Sequence, residues 1–179
     1  MTDPKTIIRV ATITVSTRCA AGSQEDVSGK LLHELLAIPG IQHIEHLVLP
    51  DDESALVEAL RNFASQADVV LTTGGTGISP RDVTPEATAQ VVTRRLPGVE
   101  TVLHLAGSEK VPTSILSRAV VGVCGQCLII NLPGSPGGVR DGMAVVTPIL
   151  SHAVRLIRGE VRDCQRELAA GAEDSTSST

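Results

Sequence analysis

The chain has 179 residues, 42% of them hydrophobic and 20% charged, with a formal net charge of −5. That length suits one domain with a sizeable core, and the composition is that of an ordinary soluble globular protein. One Phe, no Trp and no Tyr imply an aliphatic core with no aromatic platform for a base, and the negative charge argues further against a nucleic-acid partner.

Residues 1–16 hold an apolar run broken by Arg9, with no small-residue cleavage site after it. This reads as a first strand over 7–16, not as a signal peptide. No stretch approaches the roughly 20 apolar residues of a membrane span, so the expected location is the cytoplasm. A polar loop over 17–28 follows, and Ser28 is placed to cap a helix over 30–37 whose apolar face is Leu31, Leu32, Leu35 and Leu36. Residues 41–49 read as a second strand. His43 and His46, three apart on it, are expected on opposite sides and so do not suggest a metal pair. Asp52 is the expected cap of an amphipathic helix over 53–66, with Leu56, Leu60 and Phe63 on one stripe.

A third strand over 68–72 leads into a glycine loop, and Thr84 is placed to cap a helix running to about Arg95. Pro97-Gly98 punctuates, and a helix follows over 99–109. Residues 111–118 read as a loop or short helix, and 119–132 as a hairpin across Gly125. A glycine-proline loop over 133–138 precedes a helix over 139–158 that contains Pro148. The Ser/Thr-rich tail, 163–179, is expected to be disordered, leaving a single domain over 1–162. Alternating strands and helices imply an α/β fold with a largely parallel sheet covered on both faces. Ser16, Asp51, the glycines of 74–77 and Asn131 all follow predicted strand ends, where ligands sit in such sheets.

Of the cysteines at 19, 124, 127 and 164, Cys124-Gly-Gln-Cys127 is a lone Cys-x-x-Cys. No second pair completes a zinc site, and the motif falls in a hairpin, not at a strand-to-helix turn. It reads as small buried or turn residues.

The stretch from Leu71 to Glu86, LTTGGTGISPRDVTPE, carries the chemistry. Gly74, Gly75 and Gly77 let a ligand approach the backbone, and amides beside a helix start bind anions. It is neither a P-loop, since no Gly-Lys-Ser/Thr follows, nor a dinucleotide fingerprint, whose glycines are spaced wider. A plain tight turn is the alternative. Asp51 and Asp82 supply two carboxylates at the same rim, able to act as general acid and base or, as suits a site beside phosphate, to share a divalent cation; for Asp51 the alternative is a helix cap. The loop Asn131-Leu-Pro-Gly-Ser-Pro136 offers backbone amides and the Ser135 hydroxyl, and Ser114, Ser117 and Arg118 are placed to contact phosphate. No Ser/His/Asp arrangement suggests a protein nucleophile.

The ordered set Thr14-Val-Ser16, Val48-Leu-Pro-Asp51, Thr72-Thr-Gly-Gly-Thr-Gly77, Pro80-Arg-Asp-Val-Thr-Pro-Glu-Ala-Thr88, Pro97-Gly98, Pro112-Thr-Ser-Ile-Leu-Ser-Arg118 and Asn131-Leu-Pro-Gly-Ser-Pro136 resembles the molybdopterin adenylyltransferase family (MogA/MoaB type, with the corresponding domain of gephyrin). The resemblance spans about residues 7–160. It implies a three-layer α/β/α sandwich that assembles as a homotrimer, with other cofactor-biosynthesis proteins as further partners. It also implies transfer of AMP from Mg-ATP to the terminal phosphate of molybdopterin, with release of pyrophosphate. The family's two carboxylates, catalytic and Mg²⁺-holding, fall on Asp51 and Asp82, and its phosphate-binding loop on Gly74, Gly75, Thr76 and Gly77. Its nucleotide and pterin contacts fall on Ser16, Ser117, Asn131, Pro133, Gly134 and Ser135. The chain departs from the pattern at Thr17, where many relatives carry Asp, in a segment 108–117 one residue shorter than usual, and at the Cys-x-x-Cys. A molybdopterin-binding or scaffold module without catalysis is the competing reading. The molybdenum-insertion step or a nucleotide pyrophosphatase on the same fold is a third.

Overall fold

The strand Ile8–Val15 (β1) is the spine of the molecule: its β-branched residues are buried on both faces except at Arg9. This computed structural model describes residues 7–160; the tail 163–179 lies outside them. On one side of β1 stands Ile41–Leu49 (β2), on the other Val69–Thr73 (β3) and then Cys127–Leu132 (β6), all four parallel. Val121–Cys124 (β5) and the two-residue edge strand Arg94–Arg95 (β4) continue the sheet antiparallel, giving the order β2-β1-β3-β6-β5-β4.

Helices cover both faces. Val10, Leu71 and Ile130 pack under Val27–Leu35 (α2) and the long helix Pro136–Ile157 (α6), with Pro97–Ser108 (α5) against α6. Ile13, Val70 and Ile129 point the other way, onto Leu56, Leu60 and Phe63 of Glu53–Ala64 (α3), with Thr84–Ala89 (α4) beside it. The aliphatic composition thus resolves into two cores, one per face, and the expected α/β/α layering holds. Because four strands run parallel, their carboxyl ends at Val15, Leu49, Thr73 and Leu132 share one rim.

Four local expectations are corrected. Thr17–Ala20 (α1) is a short helix where a loop was expected, with Ser16 as its cap. Helix α2 begins three residues early, because the Asp26 carboxylate, not Ser28, accepts from Gly29 N. Helix α4 ends at Ala89 and the chain turns into β4, since pairing with β5 takes Arg94 and Arg95 out of the helical run. Thr84 does not cap α4: its hydroxyl donates to Gly74 O at 2.8 Å, inside the fold.

His43 and His46 also depart from expectation. The pairing of β1 with β2 slips between Val10 and Ala11, so Val10 faces His43 and Ala11 faces Glu45. The extra residue, Ile44, inverts the alternation, and both rings reach Thr12 Oγ1, at 2.9 and 2.8 Å. They lie on the same side. The cysteine reading stands: Cys124 and Cys127 are register partners across the Gly125 turn, and burial, then the neighbouring Cys124 and Asp68, pushes the Cys127 thiol up to about 12.

Candidate active site

The glycine loop leaves the end of β3 and is tied at once to its neighbours. Gly74 N donates to Leu132 O at 3.2 Å, Thr73 Oγ1 to Pro133 O at 2.7 Å, and Thr84 N to Gly75 O at 3.0 Å. Gly74 has φ +99°, and a Cβ there would stand 2.3 Å from Val15 O. Only glycine fits. Gly134 also comes close from the second loop: its Cβ would lie 3.1 Å from Gly74 Cα. The two loops therefore meet as backbone against backbone, forming a ridge on the rim.

A cavity opens on each side of that ridge. The larger, about 480 Å³, has a wall of Leu103, Val111, Ala119 and Pro133, with Ser117 and Ser135 at its polar side. Also lining it are His104 Nε2 and Ser114 Oγ, two buried polar atoms without a hydrogen-bond partner among the described residues. Buried polar atoms are rarely left so, which makes them candidate contacts for a bound molecule. Lys110 and Asp141 form an ion pair on the same wall. The smaller cavity, about 360 Å³, is lined by Thr14, Ser16, Arg18, Asp26, Gly74 and Gly134.

The two carboxylates flank the loop. Asp51 follows β2; its Oδ2 accepts from Thr17 N at 2.9 Å and from Thr17 Oγ1 at 2.7 Å. Its Oδ1 lies 3.6 Å from where a Cβ on Gly75 would stand. Asp51 is therefore not the cap of the next helix; Asp52 is, accepting from Ala55 N at 2.9 Å, and that amide followed by the Ser54 hydroxyl holds the Asp52 carboxyl below its usual range. Asp82 folds back under the loop: its Oδ2 accepts from Ser79 N at 2.9 Å and lies 2.8 Å from a Cβ placed on Gly77. The two acids thus stand beside loop residues two apart in sequence.

Arg118 holds this half of the site. Its backbone N donates to Thr76 O at 2.8 Å, its Nε to Gly77 O at 2.7 Å and its Nη2 to Asp82 O at 2.9 Å. The guanidinium also pairs with Glu86, whose carboxyl it holds below the usual range through that hydrogen bond. The sequence placed Arg118 as a phosphate contact; the structure places its donors on the loop itself. A planar fork with five donors suits this clamp in a way a point-charged ammonium does not.

The other predicted site residues fall into place unevenly. Thr76 is buried, with its hydroxyl 3.4 Å from Ser117 Oγ. Ser16 and Ser135 cap α1 and α6, accepting from Cys19 N and Gly138 N. Asn131 lies inside β6, not after it. Its amide donates to Thr72 Oγ1 and Thr88 Oγ1, at 2.9 and 3.0 Å, and its oxygen accepts from Val120 N at 3.0 Å. Its side chain braces α4 and β5 against the sheet. Sequence reasoning missed the roles of Thr17 and His104. A signal for Thr17 was its place directly after a strand-end serine; His104, on an ordinary helix face, gave none.

Among the described residues no three His, Cys, Asp or Glu side chains converge to hold a metal. Asp51 and Asp82 fit a hard cation held by one or two carboxylates and completed by phosphate oxygens and water, the usual habit of Mg²⁺. The arrangement can bind phosphate at the loop, hold such a cation beside it, and take a different group into each cavity.

The family described as "Probable molybdopterin binding domain" matches residues 11–152. The chain is 39% identical over 156 residues to a protein named molybdopterin adenylyltransferase from Helicobacter pylori strain J99, covering 85% of this chain and 89% of that one. Its fold is similar to the molybdopterin biosynthesis Mog protein of Mycobacterium ulcerans, at a TM-score of 0.81 and 44% identity over 87% of this chain and 99% of that one. It is also similar to a molybdopterin biosynthesis enzyme, MoaB, of Thermus, at 0.80 and 39% over 86% and 98%.

Proposed function

The chain belongs to this molybdopterin-binding domain family of molybdenum cofactor biosynthesis, and from that membership we propose that it is a molybdopterin adenylyltransferase. It transfers AMP from ATP to the terminal phosphate of molybdopterin and releases pyrophosphate. The observation that carries this reading is the ridge where Gly74 meets Gly134, with a cavity on either side and a carboxylate at Gly75 and at Gly77. Molybdopterin lies in the Ser117 cavity, where His104 and Ser114 offer polar partners to its ring edge. The nucleotide lies toward Ser16.

Joining two phosphates requires positioning and charge neutralisation more than a covalent catalyst. A phosphate oxygen of molybdopterin is itself the nucleophile, which accords with the lack of a protein nucleophile in the motif. Asp51 and Asp82 would hold Mg²⁺, which when bound neutralises the charge on the ATP phosphates. Thr17 fixes Asp51 by three hydrogen bonds, two to its carboxylate and one from its backbone N–H, and Arg118 fixes the loop that carries Asp82. The Gly74–Gly77 backbone seats the reacting phosphates. The working assembly is a cytoplasmic homotrimer. Purified protein given ATP and Mg²⁺ should release pyrophosphate only when molybdopterin is added; tight molybdopterin binding without release would favour the scaffold alternative.

A further inference from the structure

At the β2 edge the side chains of α2, β2 and β1 form one unbroken hydrogen-bonded chain. His33 Nδ1 lies 2.9 Å from His43 Nδ1, and His43 Nε2 lies 2.9 Å from Thr12 Oγ1. Thr12 Oγ1 lies 2.8 Å from His46 Nδ1, and His46 Nε2 lies 2.9 Å from Asp26 Oδ2. The bulge at Ile44 makes this possible by turning both β2 histidines to one side.

Each link holds one proton, and Asp26 decides which atom carries it. A carboxylate only accepts, so His46 Nε2 donates. Neutral His46 then accepts at Nδ1 from the Thr12 hydroxyl. That hydroxyl has a single proton, so it accepts from His43 Nε2. His43 in turn accepts at Nδ1 from His33 Nδ1. The chain is polarised from end to end, and His33 Nε2 is left as the basic nitrogen outside it. A proton added there passes link by link toward Asp26. His33 and His43 cannot both be cationic, because that would set one Nδ1–H against another at 2.9 Å.

The Asp26 end lies on the smaller cavity, beside Ser16, Arg18 and Gly74. The His46 and Asp26 side chains are only 29% and 15% exposed. Thr14 Oγ1, on the same wall, belongs to a residue 4% exposed and has no partner among the described residues. A Cβ on Gly29 would stand 2.1 Å from Asp26 Oδ2 and 2.6 Å from Thr14 Oγ1, so the carboxylate and the unpartnered hydroxyl are neighbours. Other charged groups nearby are Arg18 of α1, the Glu25–Lys30 ion pair and Glu34 at α2, and Glu45 of β2. Helix α6, packed on α2, carries Arg155 and His152. Burial, then the charges of His33 and His46, holds His43 below the ordinary histidine value.

We propose that His33, His43, Thr12, His46 and Asp26 act as a proton store that couples a phosphate-bearing ligand in the Ser16 cavity to solvent pH, an inference that rests on reading that cavity as the nucleotide side. An anion brought against Asp26 adds like charge beside a carboxylate, which raises the proton affinity of the chain. Uptake of one proton, relayed along the chain to the His46–Asp26 pair, offsets the carboxylate charge and relieves that repulsion. Affinity therefore rises as pH falls through the imidazole range, by at most about tenfold per pH unit for one proton.

The test is nitrogen-15 NMR of the imidazoles. In the free protein at pH 8, His33 should be in the Nδ1–H form, with His43 and His46 in the Nε2–H form. Asp26→Asn keeps an N-cap acceptor for α2 but offers His46 a donor, so the chain should reverse and His33, four links away, should become Nε2–H. An unchanged His33 tautomer in the variant would overturn the chain. Saturating AMP should raise the titration midpoint of the wild-type histidines and not those of Asp26→Asn; AMP bound with every midpoint unmoved would overturn the coupling. If AMP does not bind at all, the nucleotide reading falls and takes the coupling with it, while the tautomer reversal is read without ligand and stands or falls alone.

Discussion

Asp51 and Asp82 flank the same loop but are held by opposite means. Asp51 is gripped directly, its Oδ2 taking both the amide and the hydroxyl of Thr17. Asp82 receives one local amide from Ser79, while Arg118 grips the backbone around it at Gly77 O and Asp82 O. One acid is positioned through its carboxylate, the other through the chain that carries it. The first arrangement fixes an oxygen; the second fixes a loop and leaves the carboxylate freer to meet a cation.

The difference can be broken at several points. Asp82→Asn, which removes charge but little volume, should lower turnover by about 10²-fold or more, a loss of the size seen when one transition-state stabilising group is removed; circular dichroism and thermal unfolding should be unchanged. Arg118→Lys should cost roughly tenfold in kcat, because one ammonium cannot span two carbonyls and Glu86. The melting temperature should move little, since an ion pair whose side chains are 39% and 44% exposed is worth about 0–1 kcal/mol. Full activity in Arg118→Lys would show that the loop needs no clamp. Thr17→Val deletes two of the three hydrogen bonds between Thr17 and Asp51, the hydroxyl's donation to Oδ2 and its acceptance from Asp51 N, about 0.5–1.5 kcal/mol each, and should raise the Mg²⁺ concentration for half-maximal activity severalfold with kcat little altered.

The smallest effect is acid sensitivity at the Arg118 clamp on the Asp82 side. The Arg118 hydrogen bond depresses Glu86, so its stabilising contribution is complete above the ordinary glutamate value of 4.5 and is lost as pH falls through the lowered value. The stability gap between wild type and Arg118→Ala should therefore narrow below about pH 4.5, as read by denaturant unfolding. A gap that widened would reverse the sign of the pair.

Legibility in the sequence followed the same division. The layers, the parallel rim and the glycine loop were readable because β-branched runs, a helical leucine stripe and Gly-Gly-Thr-Gly act locally. The partners of the acids were not, since Thr17 meets Asp51 across 34 residues and Arg118 meets Gly77 across 41. The short α4 was missed because pairing of Arg94 with Val123 overrides a helical run. The bulge at Ile44 left no mark in composition, yet it decides where two histidines point. Asn131 was found as a residue of interest, but only the packing shows that its amide is spent on Thr72 and Thr88.

If the two cavities beside the Gly74–Gly134 ridge are the halves of one AMP-transfer site, as proposed, the α-phosphate of ATP must pass between them. The direct measurement is to follow label from ATP carrying radioactive phosphorus at either the α or the γ position, with Mg²⁺ and molybdopterin present. α-Label should appear in a molybdopterin product and γ-label in pyrophosphate. α-Label recovered only as free AMP, or γ-label transferred to molybdopterin, would contradict it.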